Sequence, residues 1–409
     1  MQILHIIHSY PPDSHGGTET YVQELARQQA ASGHHVVILA GQDQRHGSAR
    51  LIRQQASGLE VWRLVASARD GIVPDGIDPE VARLYGEWLE PRRFDLVHLH
   101  HWHNLTSNLV QLSTLAGLGT VVSLHDHYAS CPLFFRLNAE HEFCEATVMA
   151  KTCVACLAER FSVTREICTT GLAARQARLR DELETAGACV ALSPDQAELL
   201  SELPLFEGID IDVLPLPAPT MAAGPRQESR TPGPEFRIVS WGGLVRGKGM
   251  HLLLQACQLL SERRRIQVHH HGRILDEAYA EELLAMAGDV DLRLHGPYSR
   301  DQLDHDFANH DLAVFPSLFR ETHGFVVDEA MLLGLPVLVA DRGAPKERLG
   351  ERGSTFAVDS ASSLAARLAE FIEDPGIVDE MRRASPNLGG TMPGHASRIE
   401  EIYRRVLNR

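Results

Sequence analysis

The chain has 409 residues, 44% of them hydrophobic and 23% charged, which supplies apolar material for more than one core; at roughly 100–200 residues per domain, its length predicts two domains. Lysine and arginine number 39 against 54 aspartates and glutamates, and the resulting charge of −15 argues against a nucleic-acid partner, since such binders need a basic face to displace counterions. The start, Met1-Gln2-Ile3-Leu4, lacks the basic segment of a secretory leader, and no apolar run nears the ~20 residues of a membrane-spanning helix; a cytoplasmic chain is expected, with peripheral contact to the inner face of a membrane held open.

In chain order, residues Ile3 to Ile7 read as a buried strand, followed by a glycine loop at Gly16-Gly17. A helix is expected from Thr18 to Ser32, with Val22, Leu25 and Ala26 on one face and Gly33 at its end. Further strands are expected at His35 to Ala40, Asp95 to His100, Thr120 to His125 and Ala188 to Ser193. Strands alternating with helices in this way build a parallel sheet covered on both faces. Pro215 to Pro234 holds six prolines and two glycines, so it reads as a connection rather than an element. The pattern then restarts. Strands are expected at Phe236 to Trp241, Ile266 to His271, Asp291 to His295, Asp311 to Phe315 and Pro336 to Ala340, with helices at Met250 to Glu262 and Phe325 to Leu333. The expected fold class is α/β, with two Rossmann-like doubly wound domains, 1–217 and 218–394, facing across a cleft. A last helix with Ile399, Ile402, Tyr403 and Val406 on one face lies within 395–409, which is expected to pack back on the first domain. Ligands of such folds bind outside the carboxyl ends of the strands.

The densest chemistry lies between Phe315 and Glu347. Glu321 and Glu329, with seven residues between them, bracket Gly324 and the start of a helix. Backbone amides from Phe325 and Val326 onward are then donors at a helix N-terminus, an anion site suited to a diphosphate, and carboxylates are suited to gripping paired hydroxyls. Two solvated helix glutamates are the commoner fate of such a pair; the glycine-rich setting and the preceding strand weigh against it. A second glycine-rich turn, Trp241-Gly242-Gly243-Leu244-Val245-Arg246-Gly247-Lys248-Gly249, follows a strand and opens a helix. Fixed positive charge there suits a dianionic leaving group, against the plainer reading of Arg246 and Lys248 as solvated turn residues. A third signal is His125-Asp126-His127, just past a strand, although a lone histidine is more often structural.

Four of the seven cysteines, Cys131, Cys144, Cys153 and Cys156, lie in one 26-residue stretch. A C-x2-C pair with two outlying cysteines fits four thiolates around a tetrahedral, structural zinc tying down Pro132 to Thr152; four ordinary reduced thiols are the alternative. The string His98, His100, His101 and His103 looks like a metallohydrolase ligand set, but it carries no supporting carboxylate, so these residues are read as strand-end and cleft-lining groups; His269, His270 and His271 receive no specific role. Leu157 to Glu184 carries Arg160, Arg165, Arg175, Arg178 and Arg180 among apolar residues; contact with anionic lipid is weighed against simple solvation, and solvation is preferred.

As a set these motifs resemble the retaining glycosyltransferases of GT-B fold, family 4, with their E-x7-E signature. The resemblance extends through Glu329-Ala330-Met331, Gly334-Leu335-Pro336-Val337, Gly343 and Glu347, and at the start of the chain through Pro11-Pro12, Gly16-Gly17-Thr18-Glu19, Gly33-His34-His35-Val36, His98-Leu99-His100 and His125-Asp126. A subset of the family carries similar cysteines after the histidine–aspartate strand. The resemblance implies transfer of a sugar from a nucleotide-sugar donor, a UDP- or GDP-sugar foremost, to an acceptor hydroxyl on a carbohydrate, lipid-linked or small molecule. Such transfer belongs to glycan, polysaccharide or glycoconjugate biosynthesis. It implies catalytic roles for His125, Glu321 and Lys248. Donor binding falls to Gly16, Gly17, Gly243, Arg246, Lys248, Glu321, Gly324, Phe325, Val326 and Glu329, with Lys248 on the diphosphate, Glu329 on the ribose, and His125 with Glu321 at the donor sugar. Relatives carry an arginine where Gly243 stands, which leaves Arg246 as its nearest replacement. No catalytic metal is implied, because fixed cations take its place. The rivals are a zinc-dependent hydrolase using the His98–His103 string, and a non-catalytic nucleotide-sugar-binding protein.

Overall fold

The structure is a computed structural model that describes residues 1–14, 16–42, 47–67, 76–145, 150–219, 235–260, 265–299, 307, 309–384 and 388–409. The chain forms two compact units: Met1–Ala139, Cys144–Pro217 and Gly390–Arg409 make up the first, and Glu140–Phe143 with Ala218–Gly389 the second.

The first unit is built on strands β1 (Gln2–Ile7), β2 (His35–Gly41), β3 (Arg50–Ala56), β4 (Leu59–Val65), β5 (Leu96–Leu99), β6 (Gly119–Leu124), β7 (Ala188–Ala191) and β8 (Ile211–Val213). Its helices are α1 (Gly17–Ala31), α2 (Pro79–Leu89), α3 (Leu109–Leu115), α4 (Ala150–Phe161), α5 (Arg165–Thr185) and α6 (Pro194–Ser201). The sheet order is β3-β4-β2-β1-β5-β6-β7-β8, and the β3–β4 pair alone is antiparallel among the described pairings. Near-continuous apolar runs such as Ile3–Ile7 are buried throughout, as parallel strands covered on both faces require. The β3–β4 hairpin and α2 fall in a stretch whose sequence reading contained no element. Edge strand β3, RLIRQQA, is exposed or half-buried along its length and offers no apolar run. The start of α2 does carry a local signal: Asp78 accepts a hydrogen bond from the Val81 amide at 3.0 Å and Pro79 opens the first turn.

The second unit holds β9 (Glu235–Trp241), β10 (Arg265–His271), β11 (Asp291–Leu294), β12 (Leu312–Phe315), β13 (Val337–Ala340) and β14 (Gly353–Phe356), in the order β11-β10-β9-β12-β13-β14. All the described pairings are parallel, and the order is that of a dinucleotide-binding sheet, in which the connections reverse between the first and fourth strands, here β9 and β12. Helices α7 (Met250–Gln258), α8 (Glu277–Met286), α9 (Phe325–Leu332), α10 (Ala344–Arg348), α11 (Ala361–Glu373) and α12 (Pro375–Arg383) complete it. The final helix, α13 (Met392–Leu407), belongs to the first unit. There Ile399, Ile402, Tyr403 and Val406 bury against Ile3, Leu96, Val121 and Val190, a gain of about 1.5–3 kcal/mol per fully buried large apolar side chain. Of the proline-rich connection, 220–234 lies outside the described residues, as do 261 and 262 at the expected end of α7 and 146–149 in the cysteine loop.

Candidate active site

In the second unit two loops leave the sheet at its switch point, one after β9 and one after β12. The backbone binds them together. The Leu318 amide donates to Gly247 O at 2.9 Å. Gly249 sits at φ +73°, where a Cβ would lie 1.9 Å from Pro316 O, so only glycine permits this approach. Across the same loop, a Cβ on Gly343 would meet the backbone N of Glu321 at 2.7 Å, and the Ala344 amide donates to Glu321 O at 2.9 Å. Glu321 is thereby held on both sides.

Its side chain meets Lys248. Nζ of Lys248 lies 2.6 Å from Glu321 Oε1, and Ser317 Oγ donates to the same oxygen at 2.7 Å. Burial pushes the Glu321 carboxyl pKa up, but the Lys248 charge and hydrogen bond, with Ser317, outweigh it and hold the group below the usual carboxylate range. Beside this pair α9 begins at Gly324, whose φ of 78° breaks the chain direction, and no side chain caps the first turn. Phe325 and Val326 thus stand at an uncapped helix N-terminus, where aligned amides favour an anion. Ser317, Glu321, Gly324, Val326, Arg342 and Pro345 line a hollow at this point.

Glu329, one turn into α9, is 9% exposed and its Oε2 accepts from the Trp241 indole at 2.7 Å. Trp241 ends β9, and sequence reasoning gave it no role; its place immediately before the glycine turn was the available signal. Three more groups were missed. His323, Asp328 and Arg348 form a buried cluster under the loop, with His323 Nε2 3.1 Å from Asp328 Oδ2, Arg348 Nη2 3.1 Å from Asp328 Oδ1, and Arg348 Nη2 donating to Gly324 O at 3.2 Å. Burial, then the Arg348 charge, lowers the His323 pKa to about 4, so Asp328 and Arg348 form the ion pair and His323 stays neutral. Arg246, on the same turn as Lys248, pairs with Glu282 of α8 and lies 4.7 Å from the centre of the Tyr279 ring. Gly243 lies with Leu275 nearest to its missing Cβ, at 2.8 Å from Cδ1.

In the first unit, Gly16 caps α1 in extended backbone and Gly17 opens the helix. Glu19 folds back beside Gly16 and accepts from Ser14 Oγ at 2.6 Å. His125 follows β6, is 7% exposed, and its Nε2 lies 2.9 Å from His100 Nδ1. Burial lowers its pKa to about 3, so the ring is neutral. Asp126 serves a different histidine, His101, at 3.1 Å, and accepts from the Tyr128 amide at 2.7 Å.

Three of the four histidines of the string do not line an open surface, while His103 is half-buried. His98, His100 and His101 are at most 3% exposed. Ligand atoms of His5, His98 and His100 lie within 4.8 Å of one another, yet hydrogen bonds use both nitrogens of each ring: His5 with His100 and Gln29, His98 with Tyr403 and Ser123, and His100 with His5 and His125. This corrects the cleft-lining reading and disfavours the hydrolase, whose ligands need nitrogens aimed at a metal. The arginine-rich helix α5 is also not merely solvated. Arg175 is 5% exposed, donates to the Tyr128 and Ala129 carbonyls and stacks over the Tyr128 ring at 4.5 Å.

Cys131, Cys144, Cys153 and Cys156 are all partly buried. Burial pushes the Cys144 thiol up to about 11, with the fields of Cys131, Cys153 and Cys156 adding to it and Arg136 opposing. Among the described residues, the groups with three ligand atoms inside 4.8 Å are histidine sets rather than this one.

Two family models match the chain. Residues 16–217 match the "Glycosyl transferase 4-like domain" and residues 225–387 match "Glycosyl transferases group 1". Together they leave out only the two ends and a short segment after Pro217, and the chain belongs to these glycosyltransferases. Among solved structures it is similar to sucrose-phosphate synthase from Thermosynechococcus elongatus (TM-score 0.66, 17% identity, 99% of this chain and 97% of that one). It is also similar to an α,α-trehalose-phosphate synthase from Burkholderia xenovorans in complex with glucose-6-phosphate (0.68, 12%, 99% and 100%), and to HepE from Anabaena in complex with UDP and glucose (0.61, 18%, 100% and 98%). At these identities the likeness shows the fold, which is GT-B. No curated protein matches the sequence.

Proposed function

We propose that the chain is a retaining glycosyltransferase that takes a sugar from a UDP- or GDP-sugar and passes it to an acceptor hydroxyl. The observation that carries this reading is the Lys248–Glu321 pair at 2.6 Å beside the uncapped start of α9: a fixed cation and a row of aligned amides flank one carboxylate. The solved neighbours support a nucleotide-sugar donor, since HepE was solved with UDP-glucose and starch synthase IV from Arabidopsis thaliana with ADP and acarbose.

In the transfer the bond between the anomeric carbon and the diphosphate oxygen breaks as the acceptor oxygen approaches the same face of the sugar. Positive charge develops on the sugar ring and negative charge on the leaving diphosphate. Lys248 and the amides of Phe325 and Val326 stabilise the second of these more strongly than they stabilise the ground state, which is what raises the rate. The departing phosphate oxygen takes the acceptor proton, so no protein nucleophile is required. Glu329, held by Trp241, binds the ribose, and Glu321 and His125 bind the donor sugar. Gly16 and Gly17 bind the donor at the start of α1. The acceptor is a carbohydrate, a lipid-linked glycan or a small molecule. The four cysteines hold a structural zinc, because a C-x2-C pair with two outlying cysteines in one 26-residue stretch supplies the four thiolates such a site takes.

Isothermal titration of UDP, GDP and ADP into wild-type and Lys248→Ala protein tests the donor site, and NMR of the product anomer tests retention. Equal nucleotide affinity in the two proteins would sink the role of Lys248. An inverted anomer would sink the retaining assignment.

A further inference from the structure

A chain of buried hydrogen bonds runs from the C-terminal helix to His125. His98 Nδ1 lies 2.7 Å from Tyr403 Oη on α13, and Gln29 Nε2 of α1 lies 3.3 Å from the same hydroxyl. Gln29 Oε1 is 2.7 Å from His5 Nε2; His5 Nδ1 is 2.9 Å from His100 Nε2; His100 Nδ1 is 2.9 Å from His125 Nε2. His5 and His98 stand opposite each other in the β1–β5 register, while His100 and His125 follow β5 and β6. Burial keeps each of these four rings neutral, so each carries one N–H and one lone pair in its plane.

Neutral rings in series have only two consistent arrangements, and the choice at one end fixes the other. The choice is made at Tyr403. A phenol is the stronger donor and an imidazole nitrogen the stronger acceptor, so Tyr403 donates to His98 Nδ1. The same preference operates at a second contact of α13. There His395 Nδ1 faces Pro215 O at 3.1 Å, which can only accept, and Tyr21 Oη donates to His395 Nε2 at 2.8 Å. With its proton committed to His98, Tyr403 accepts from the Gln29 amide nitrogen. Gln29 Oε1 then accepts from His5 Nε2–H, His5 Nδ1 accepts from His100 Nε2–H, and His100 Nδ1 accepts from His125 Nε2–H.

We propose that Tyr403, Gln29, His5 and His100 are positioning residues that fix His125 as the Nε2–H tautomer, with Nδ1 its basic nitrogen. A residue near the end of the chain thus sets the hydrogen-bonding character of a site histidine without touching it. The ligand half of the inference rests on the proposed donor role of His125: in this tautomer Nδ1 accepts a hydrogen bond and cannot donate one.

The test is long-range 1H–15N correlation spectroscopy on full-length, 15N-histidine-labelled protein without any nucleotide, with His125→Asn used for assignment. Wild-type His5, His100 and His125 are expected as Nε2–H tautomers. Tyr403→Phe keeps the packed ring but removes the proton that biases the chain, and a second population with Nδ1–H at His125 is expected. An Nδ1–H tautomer at wild-type His125, or a His125 tautomer unmoved by Tyr403→Phe, overturns the proposal; a packing role for Tyr403 shifts the melting temperature but not this ratio. In Tyr403→Phe the donor KM is expected to rise about threefold to tenfold, the weight of one hydrogen bond, with kcat changed less. An unchanged KM alongside a changed tautomer overturns the ligand half. Failure of wild-type protein to bind any nucleoside diphosphate sinks the glycosyltransferase reading and leaves the tautomer result standing.

Discussion

Trp241 and Glu329 show how much of a site rests on one bond. The indole N–H is 2.7 Å from Glu329 Oε2 in a place where the carboxylate is 9% exposed, so little water is at hand to replace a lost donor. Trp241→Phe is expected to raise the KM for the donor by about threefold to tenfold with a smaller change in kcat, because the ribose contact is made in ground and transition states alike. Steady-state kinetics check this, and an unchanged KM would remove Glu329 from the ribose. Gly243 offers the opposite experiment. It has no left-handed backbone strain and its missing Cβ faces only the end of the exposed Leu275 side chain. Arginine at this position is therefore tolerated, and Gly243→Arg adds a cation to the turn that carries Lys248. It is expected to tighten UDP or GDP binding severalfold at low salt and less at high salt, as screening requires; calorimetry at two ionic strengths reads the difference. No tightening at either salt would mean that the diphosphate does not pass over this turn.

At the scale of elements, the loops after β9 and β12 act as one piece. Gly249 is where they touch, and Gly249→Ala must relieve both a left-handed φ and a Cβ 1.9 Å from Pro316 O. The backbone conformation alone costs roughly 1–2 kcal/mol for a residue with a Cβ, and the contact adds to it. The variant is expected to melt several degrees lower and to lose donor affinity as Lys248 swings from Glu321. A variant with wild-type melting and wild-type affinity would show that the two loops are not coupled. The sequence made both loops legible, because glycines, a lysine and paired glutamates at fixed spacing are local features. The partners that hold them were not legible. Trp241 to Glu329, and Gly343 to Glu321, are contacts made by strand order, and single-sequence periodicity carries no strand order. The same limit explains the histidines. His98 and His100 lie two residues apart as expected, but His98 is covered by Tyr403 of α13 and His100 by Tyr21 of α1 and His125, and nothing within the string announces it. Edge strand β3 was missed for a different reason, since a polar seven-residue strand has no apolar signature to read. The cysteine loop permits a sharper check. Elemental analysis of protein purified without added metal is expected to give about one zinc per chain for a four-thiolate site, falling to none in a Cys153→Ser, Cys156→Ser double variant; metal-free wild-type protein that folds normally would end the zinc assignment.

Across the whole molecule the buried histidines make stability depend on pH in a direction that can be worked out. His5, His270 and His323 are lowered to about 4 and His125 to about 3, in each case first by burial, from an unfolded value near 6.5. Each folded-state pKa lies below its unfolded value. The stability each contributes is therefore complete above pH ~6.5 and is lost as pH falls toward the folded value, because the unfolded chain takes up the proton first. Glu182 acts in the opposite sense. Burial raises it to about 7 although it accepts from Trp102 Nε1 and the Val110 and Gln111 amides, so its contribution is present at low pH and is lost as pH rises through 7. One such group does not balance four histidines. Between the two histidine limits, each buried ring changes stability by up to about 1.4 kcal/mol per pH unit. Chemical denaturation at pH 7.5, 6.5 and 5.5 is expected to show little change over the first interval and a loss of several kcal/mol over the second, with uptake of more than one proton on unfolding. His5→Asn and His323→Asn should each reduce the slope. Stability that stays level down to pH 4.5, where carboxylates begin to titrate, would mean that these rings are not buried as neutral groups, and the hydrogen-bonded chain to His125 would fall with them.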